Sequence, residues 1–270
     1  MLSWGILIVK RPIQLLAILT VVCFLVNCKV IPNRESSSMN IIVRIPSSAE
    51  EIDFIWSLLK NIHFYNSNRY KLSLPNNETT MSIVEKANRQ ELSNEDYTLL
   101  KSDFTTNIYN QKDYQKSYRI INNTLPIAKS QQKIFIHYKA KWNFYIPKQY
   151  EVLLTLYGPG GSYNPQKGII TIMTTKEGTF KRGQNPLETI LHEAVHIGIE
   201  DAIVKRYDLS HWEKERIVDQ FMMYHFKEVC PDYKMQPISE TAIDEIFKNE
   251  NAWDNLPEAV SQFMSGKKQK

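Results

Sequence analysis

The sequence predicts an α+β fold that is mainly helical, with a small antiparallel or mixed sheet packed on one central helix. Three observations point there. Apolar residues recur at helical spacing over 49–61 and 186–205. Short runs rich in β-branched and aromatic residues cluster between 133 and 175. A dense turn segment, GPGGSYNPQKG at 158–168, separates two of those runs.

Composition limits the rest. The 270 residues are 43% hydrophobic and 23% charged, which supplies enough apolar surface for a packed core. Nine Gly, 12 Pro and three Cys exclude collagen-like and disulfide-scaffold classes. A net charge of +4 with no concentrated basic stripe argues against nucleic acid as a partner.

The N-terminus reads as an address. Residues 13–26, IQLLAILTVVCFLV, carry no charge and follow Lys10 and Arg11. Cations followed by a short apolar run predict a signal peptide or membrane anchor over 1–27. Fourteen residues fall short of the ~20 that cross a bilayer as a helix. Leu25-Val26-Asn27-Cys28 resembles a bacterial lipoprotein box, with Asn27 departing from the small residue usual there. That resemblance implies a lipid on Cys28, and either route places the protein in the cell envelope. Residues 28–40 are polar and aperiodic, as expected of a tether. Cys230 is then left to the folded part, so no disulfide is expected within it.

In the body, Ser48 is the expected N-cap of the helix over 49–61, which carries Ile52, Ile55, Trp56 and Leu59 on one face. Two to four further helices are expected in 80–127, one behind Ser93. The runs 133–147, 149–158 and 168–175 are expected as strands. Helical pieces are expected near 239–249 and 257–264. The division that follows is a helical region over 41–132 and a second region over 133–270.

The chemistry concentrates between Asn185 and His225. Asn185-Pro186-Leu187-Glu188 is a helix start, with Asn as N-cap and Pro at the first helical position. His192-Glu193-Ala194-Val195-His196 follows, the HExxH pattern. Residues four apart share one helix face, so both imidazoles can reach one metal ion, and imidazole ligands suit Zn2+. Glu193 flanks that face, where it can take a proton from the attacking water and pass it to a leaving amine. Ser210 opens a second helix with a capping box to Glu213. Asp208 is the turn former in the short link before it, so the helix can fold back with Glu215 as third ligand. Asp219, one turn on, can accept the N–H of a ligating imidazole.

HExxH, eighteen intervening residues, then ExxxD resembles the gluzincin group of zinc peptidases. The resemblance covers about 185–225. It implies a zincin-like region over 133–270, zinc held by His192, His196 and Glu215, Glu193 as general base and acid, and a peptide or protein substrate. It also implies an edge strand lining the cleft, for which 168–174 and Gly158 to Tyr163 are the candidates. Ile199 and Ala202 stand where the metzincin pattern needs Gly and His, so that pattern fails. The aminopeptidase GxMEN motif is absent. Glu200 lies too far along its helix to join the ligands. Tyr163, Tyr224 and His225 are the candidate oxyanion donors, each with packing as the competing role, and His211 is expected at the surface. The competing class is an exported binding module that keeps zinc as a structural pin.

Overall fold

The helix that begins behind Asn185 organises the molecule. In the computed structural model, which describes residues 39–181, 185–237, 241–249 and 251–268, Pro186–Ile199 form this helix (α7), with all but two of its residues buried. The Asn185 side chain accepts from Leu187 N at 3.0 Å, and Pro186 occupies the first turn, where its missing N–H costs nothing. A helix apolar on nearly every side must be covered on every side. Helix α5 (Gln115–Ser130), helix α8 (His211–His225) and strands β3 (Gly161–Asn164) and β4 (Ile169–Met173) all pack on it.

The sheet has four strands in the order β1-β2-β4-β3. Strands β1 (Ile41–Arg44) and β2 (Tyr150–Thr155) pair in parallel, as do β2 and β4, while β3 returns antiparallel to β4 with Gly161 opposite Ile172. The fold is thus α+β and mainly helical, with a mixed sheet on α7.

Several elements differ from expectation. Residues 133–142 are not a strand. Gln132–Trp142 form a helix, α6, which buries Phe135, Tyr138 and Trp142. Those three recur at helical spacing, and that period outweighs the β-branched and aromatic composition. Residues 168–174 are not the sheet edge, because β4 lies between β2 and β3. β1 arises from a segment adjoining the expected tether. Met39 is already buried, and Tyr150 N donates to Asn40 O at 2.7 Å, so the fold begins before residue 41. β1 belongs to the first expected region and β2 to the second, so the sheet crosses the 132/133 division, and Ser37–Lys270 cluster as one unit. The expected signal segment (1–27), Cys23, Cys28 and most of the tether lie outside the described residues.

Helix α1 (Ser48–Lys60) is capped by Ser47, one residue earlier than expected, in a capping box with Glu50. It packs with α3 (Glu78–Asn88) and α4 (Asn94–Asp103) around Ile52, Ile55, Leu59, Ile83 and Leu100. Between α1 and α3 lies the short helix α2 (Ile62–Ser67). The C-terminal pieces are a 3-10 segment, Ala242–Lys248, and helix α9 (Leu256–Lys268). No helix among the described residues is long and apolar enough to cross a membrane.

One close approach fixes the back of α7. A Cβ on Gly198 would fall 1.8 Å from the Phe144 ring, which itself stacks on Phe135 at 5.0 Å. Only glycine leaves room for that ring against the helix.

Candidate metal centre

After Ile199 the helix widens into a π-helical stretch, Glu200–Lys205. Asp208 then turns the chain in a left-handed conformation, φ 53°. Asp tolerates that region better than most residues. Ser210 accepts from Glu213 N at 3.2 Å while Glu213 Oε2 accepts from Ser210 N at 2.9 Å, so the expected capping box starts α8. α8 packs back on α7 and brings Glu215 onto the two histidines.

Nε2 of His192 and Nε2 of His196 face each other at 3.0 Å. Glu215 Oε2 stands 3.4 Å from the first and 3.3 Å from the second. Zinc bonded at about 2.0–2.1 Å in tetrahedral geometry holds its ligand atoms about 3.3 Å apart. The three atoms therefore have the spacing of three corners of such a site. The group is buried and can hold a metal ion.

The charge states of His196 and Glu215 suit that role, while the burial of His192 is outweighed by Glu215 and the other carboxylates around it, which raise its proton affinity. Burial pushes His196 down to about 4, leaving a neutral imidazole with a lone pair to give. Burial opposes ionisation of Glu215, but the two adjacent imidazoles outweigh it and hold its carboxyl well below the ordinary range. A neutral imidazole and an ionised carboxylate are the forms a metal binds. Gln236 Nε2 also donates to Glu215 Oε2, at 2.7 Å, which orients the carboxylate.

Asp219 does not meet an imidazole directly. Tyr233 stands between, donating its hydroxyl hydrogen to Asp219 Oδ1 at 2.6 Å and lying 2.7 Å from His192 Nδ1. Asp219 is fully buried and also accepts from Gln236 N at 2.7 Å. His196 is held differently. The Tyr163 ring stacks on it at 4.8 Å and 2°, and its buried Nδ1 has no hydrogen-bond partner.

Glu193 is 6% exposed, and burial raises its carboxyl to about 7. It lies close against strand β3, where a Cβ on Gly161 would come 2.3 Å from its Oε1. The backbone of the edge strand can approach the carboxylate only because Gly161 has no side chain. His192, Glu193, His196 and Glu215 all line one cavity of about 1150 Å³. Phe64, Tyr70, Leu72 and Met81 from the α2–α3 region also line it. Gly160 to Tyr163 line it as well, so the edge at the cavity is β3.

The remaining candidates separate cleanly. Tyr163 is in the cavity, but its hydroxyl donates to Glu200 Oε2 at 2.8 Å. Glu200 is not among the three residues whose ligand atoms converge. Tyr224 is 60% exposed beside Trp253, and His225 pairs with the Tyr138 hydroxyl at 3.0 Å, so neither lines the cavity. His211 is not at the surface. It is half-buried in the cavity wall, 2.8 Å from the Tyr70 hydroxyl. Tyr70, Lys214, Tyr233 and Gln236 were not singled out in the sequence, because three of them reach the site from separate segments. No protein-family model, curated protein or solved structure matches this chain.

Proposed function

We propose that the protein is a zinc-dependent peptidase of gluzincin type. The observation that carries this reading is the 3.0–3.4 Å triangle of His192, His196 and Glu215 in the wall of a large cavity that Glu193 also lines. Zinc bound there would supply Lewis acidity toward a carbonyl and would lower the pKa of a water. Glu193, with an affinity for protons raised by burial, is suited to exchange one near neutral pH. It accepts a proton from the attacking water as the carbon–oxygen bond forms. When the carbon–nitrogen bond breaks, its electron pair stays on nitrogen and Glu193 returns the proton there. The free side of β3 can pair with an extended peptide, whose main chain then lies across the site.

Three protein donors converge among the described residues, whereas structural zinc sites are closed by four. That count favours a working centre over a structural pin in a binding module. The apolar run at 13–26 behind Lys10 and Arg11 supports export to the cell envelope. There the body is held at the membrane by that segment or by a lipid on Cys28.

The test is metal analysis of the purified full-length protein beside Glu193→Gln, with labelled casein as substrate. Stoichiometric zinc in both proteins and cleavage by the wild type alone is the expected result. A wild type without zinc removes the proposal, and a variant that cleaves equally well removes Glu193 from its role.

A further inference from the structure

We propose that Lys214 is the donor that stabilises the negative charge developing on the scissile carbonyl oxygen, an inference that rests on the peptidase reading above. Attack on an amide carbon moves an electron pair onto that oxygen. A fixed donor aimed at it in a water-poor site gives one of the largest contributions to catalysis.

Most hydrogens near the three ligands are already committed. The Tyr163 hydroxyl gives its hydrogen to Glu200, and the Tyr233 hydroxyl gives its own to Asp219. The rings of His192 and His196 turn their Nε2 atoms toward each other and Glu215. Tyr70 and His211 share one hydrogen at 2.8 Å, and the other ring nitrogen of His211 faces Glu215 Oε1 at 3.9 Å.

Lys214 is different. Its ammonium has three hydrogens. One is donated to the Tyr163 oxygen at 3.1 Å, and a second direction is taken by Glu215 Oε1 at 3.6 Å. No third acceptor is found among the described residues, and the side chain borders the cavity at 15% exposure. The Tyr163 ring underlies the ammonium at 5.2 Å, which fixes its position. Lys214 also directly precedes Glu215 on α8, so the donor and the ligand share one turn of one helix. Lys214 acts by charge and hydrogen bonding, and proton movement is left to Glu193.

The experiment uses full-length wild type, Lys214→Met, Lys214→Arg and Tyr70→Phe, each with its bound zinc counted. Calorimetry then compares two probes with the same Leu-Phe body. N-phosphoryl-Leu-Phe presents anionic oxygens where the charge develops, and mercaptoacetyl-Leu-Phe binds zinc through sulfur without them. Lys214→Met is expected to keep its zinc and lose ~100-fold in affinity for the phosphoryl probe, with about twofold or less for the thiol. Lys214→Arg is expected to recover most of the loss, and kcat on labelled casein to fall ~10²–10³-fold in Lys214→Met with little change in KM. Undiminished phosphoryl binding in Lys214→Met overturns the role of Lys214 and leaves the peptidase reading standing. Equal loss for both probes, or a selective loss in Tyr70→Phe alone, also overturns it. A wild type that binds no zinc overturns the reading beneath.

Discussion

The Tyr233 hydroxyl lies 2.7 Å from Nδ1 of His192. Its one hydrogen goes to Asp219, so its oxygen accepts from Nδ1–H and leaves the Nε2 lone pair bare. Tyr233→Phe breaks this relay while keeping the ring. The expected result is a ~10–100-fold fall in zinc affinity, measured by competition with a chromogenic chelator. Unchanged affinity would make the relay irrelevant to metal binding.

With zinc in the triangle as proposed, its removal should weaken the fold. Zinc at ~1,000 times its dissociation constant adds about 4 kcal/mol to a fold that alone binds it. For a body of this size that corresponds to a drop in Tm of roughly 10 °C on chelation. Calorimetric scans with and without chelator measure it, and added zinc should restore the loss. The same scan on Glu215→Ala should show no response to zinc.

Gly161 ties the edge strand to Glu193, the proposed base. A methyl group there would press on Glu193 Oε1 and come 2.8 Å from Thr189 Cγ2. Gly161→Ala should therefore displace the carboxylate and leave the ligands in place. A displacement of about 1 Å can cost ~10²-fold in rate. The expected outcome is that order of loss in kcat/KM at full zinc content, and normal turnover would refute the tie.

Glu51 gives a pH dependence away from the metal. It is 1% exposed and accepts from Leu156 N, the Tyr114 hydroxyl and the Thr155 hydroxyl on one oxygen. Burial outweighs those bonds and raises its carboxyl from 4.5 to about 7. A pKa raised by folding means the folded state binds the proton more tightly. Its contribution is complete below pH 4.5 and is lost as pH rises through 7. Glu51→Gln keeps an acceptor and cannot ionise. Between pH 4.5 and 8, metal-free wild type should lose about 3 kcal/mol of unfolding free energy relative to the variant. Denaturant titrations at the two pH values test this, and a constant difference would contradict it.

What the sequence made legible was local. The caps at Asn185 and Ser210, the turn at Asp208 and the His192–His196 spacing depend on neighbours within a few residues. Tyr233 and Gln236 come to Glu215 and Asp219 from a loop beyond Pro231, and Tyr70 comes from before α3. No periodicity announces such returns, because nothing local requires them. Helix α6 failed for another reason. Ile134, Phe135, Ile136 and Tyr138 have the composition of a strand, and only the spacing of Phe135, Tyr138 and Trp142 marks a helix. β1 is four residues long, too short for alternation to stand out.

The partnerless Nδ1 of His196 carries a last consequence. A buried ring nitrogen without a hydrogen-bond partner costs roughly 1–3 kcal/mol, and stacking against Tyr163 does not supply one. The protein therefore carries a built-in weakness at a position where an apolar residue would pack more comfortably. In the metal-free state His196→Met should unfold at a higher temperature than the wild type, although it can no longer complete the triangle. A fold that would be sturdier without one corner of its triangle trades stability for the proposed metal site at that point.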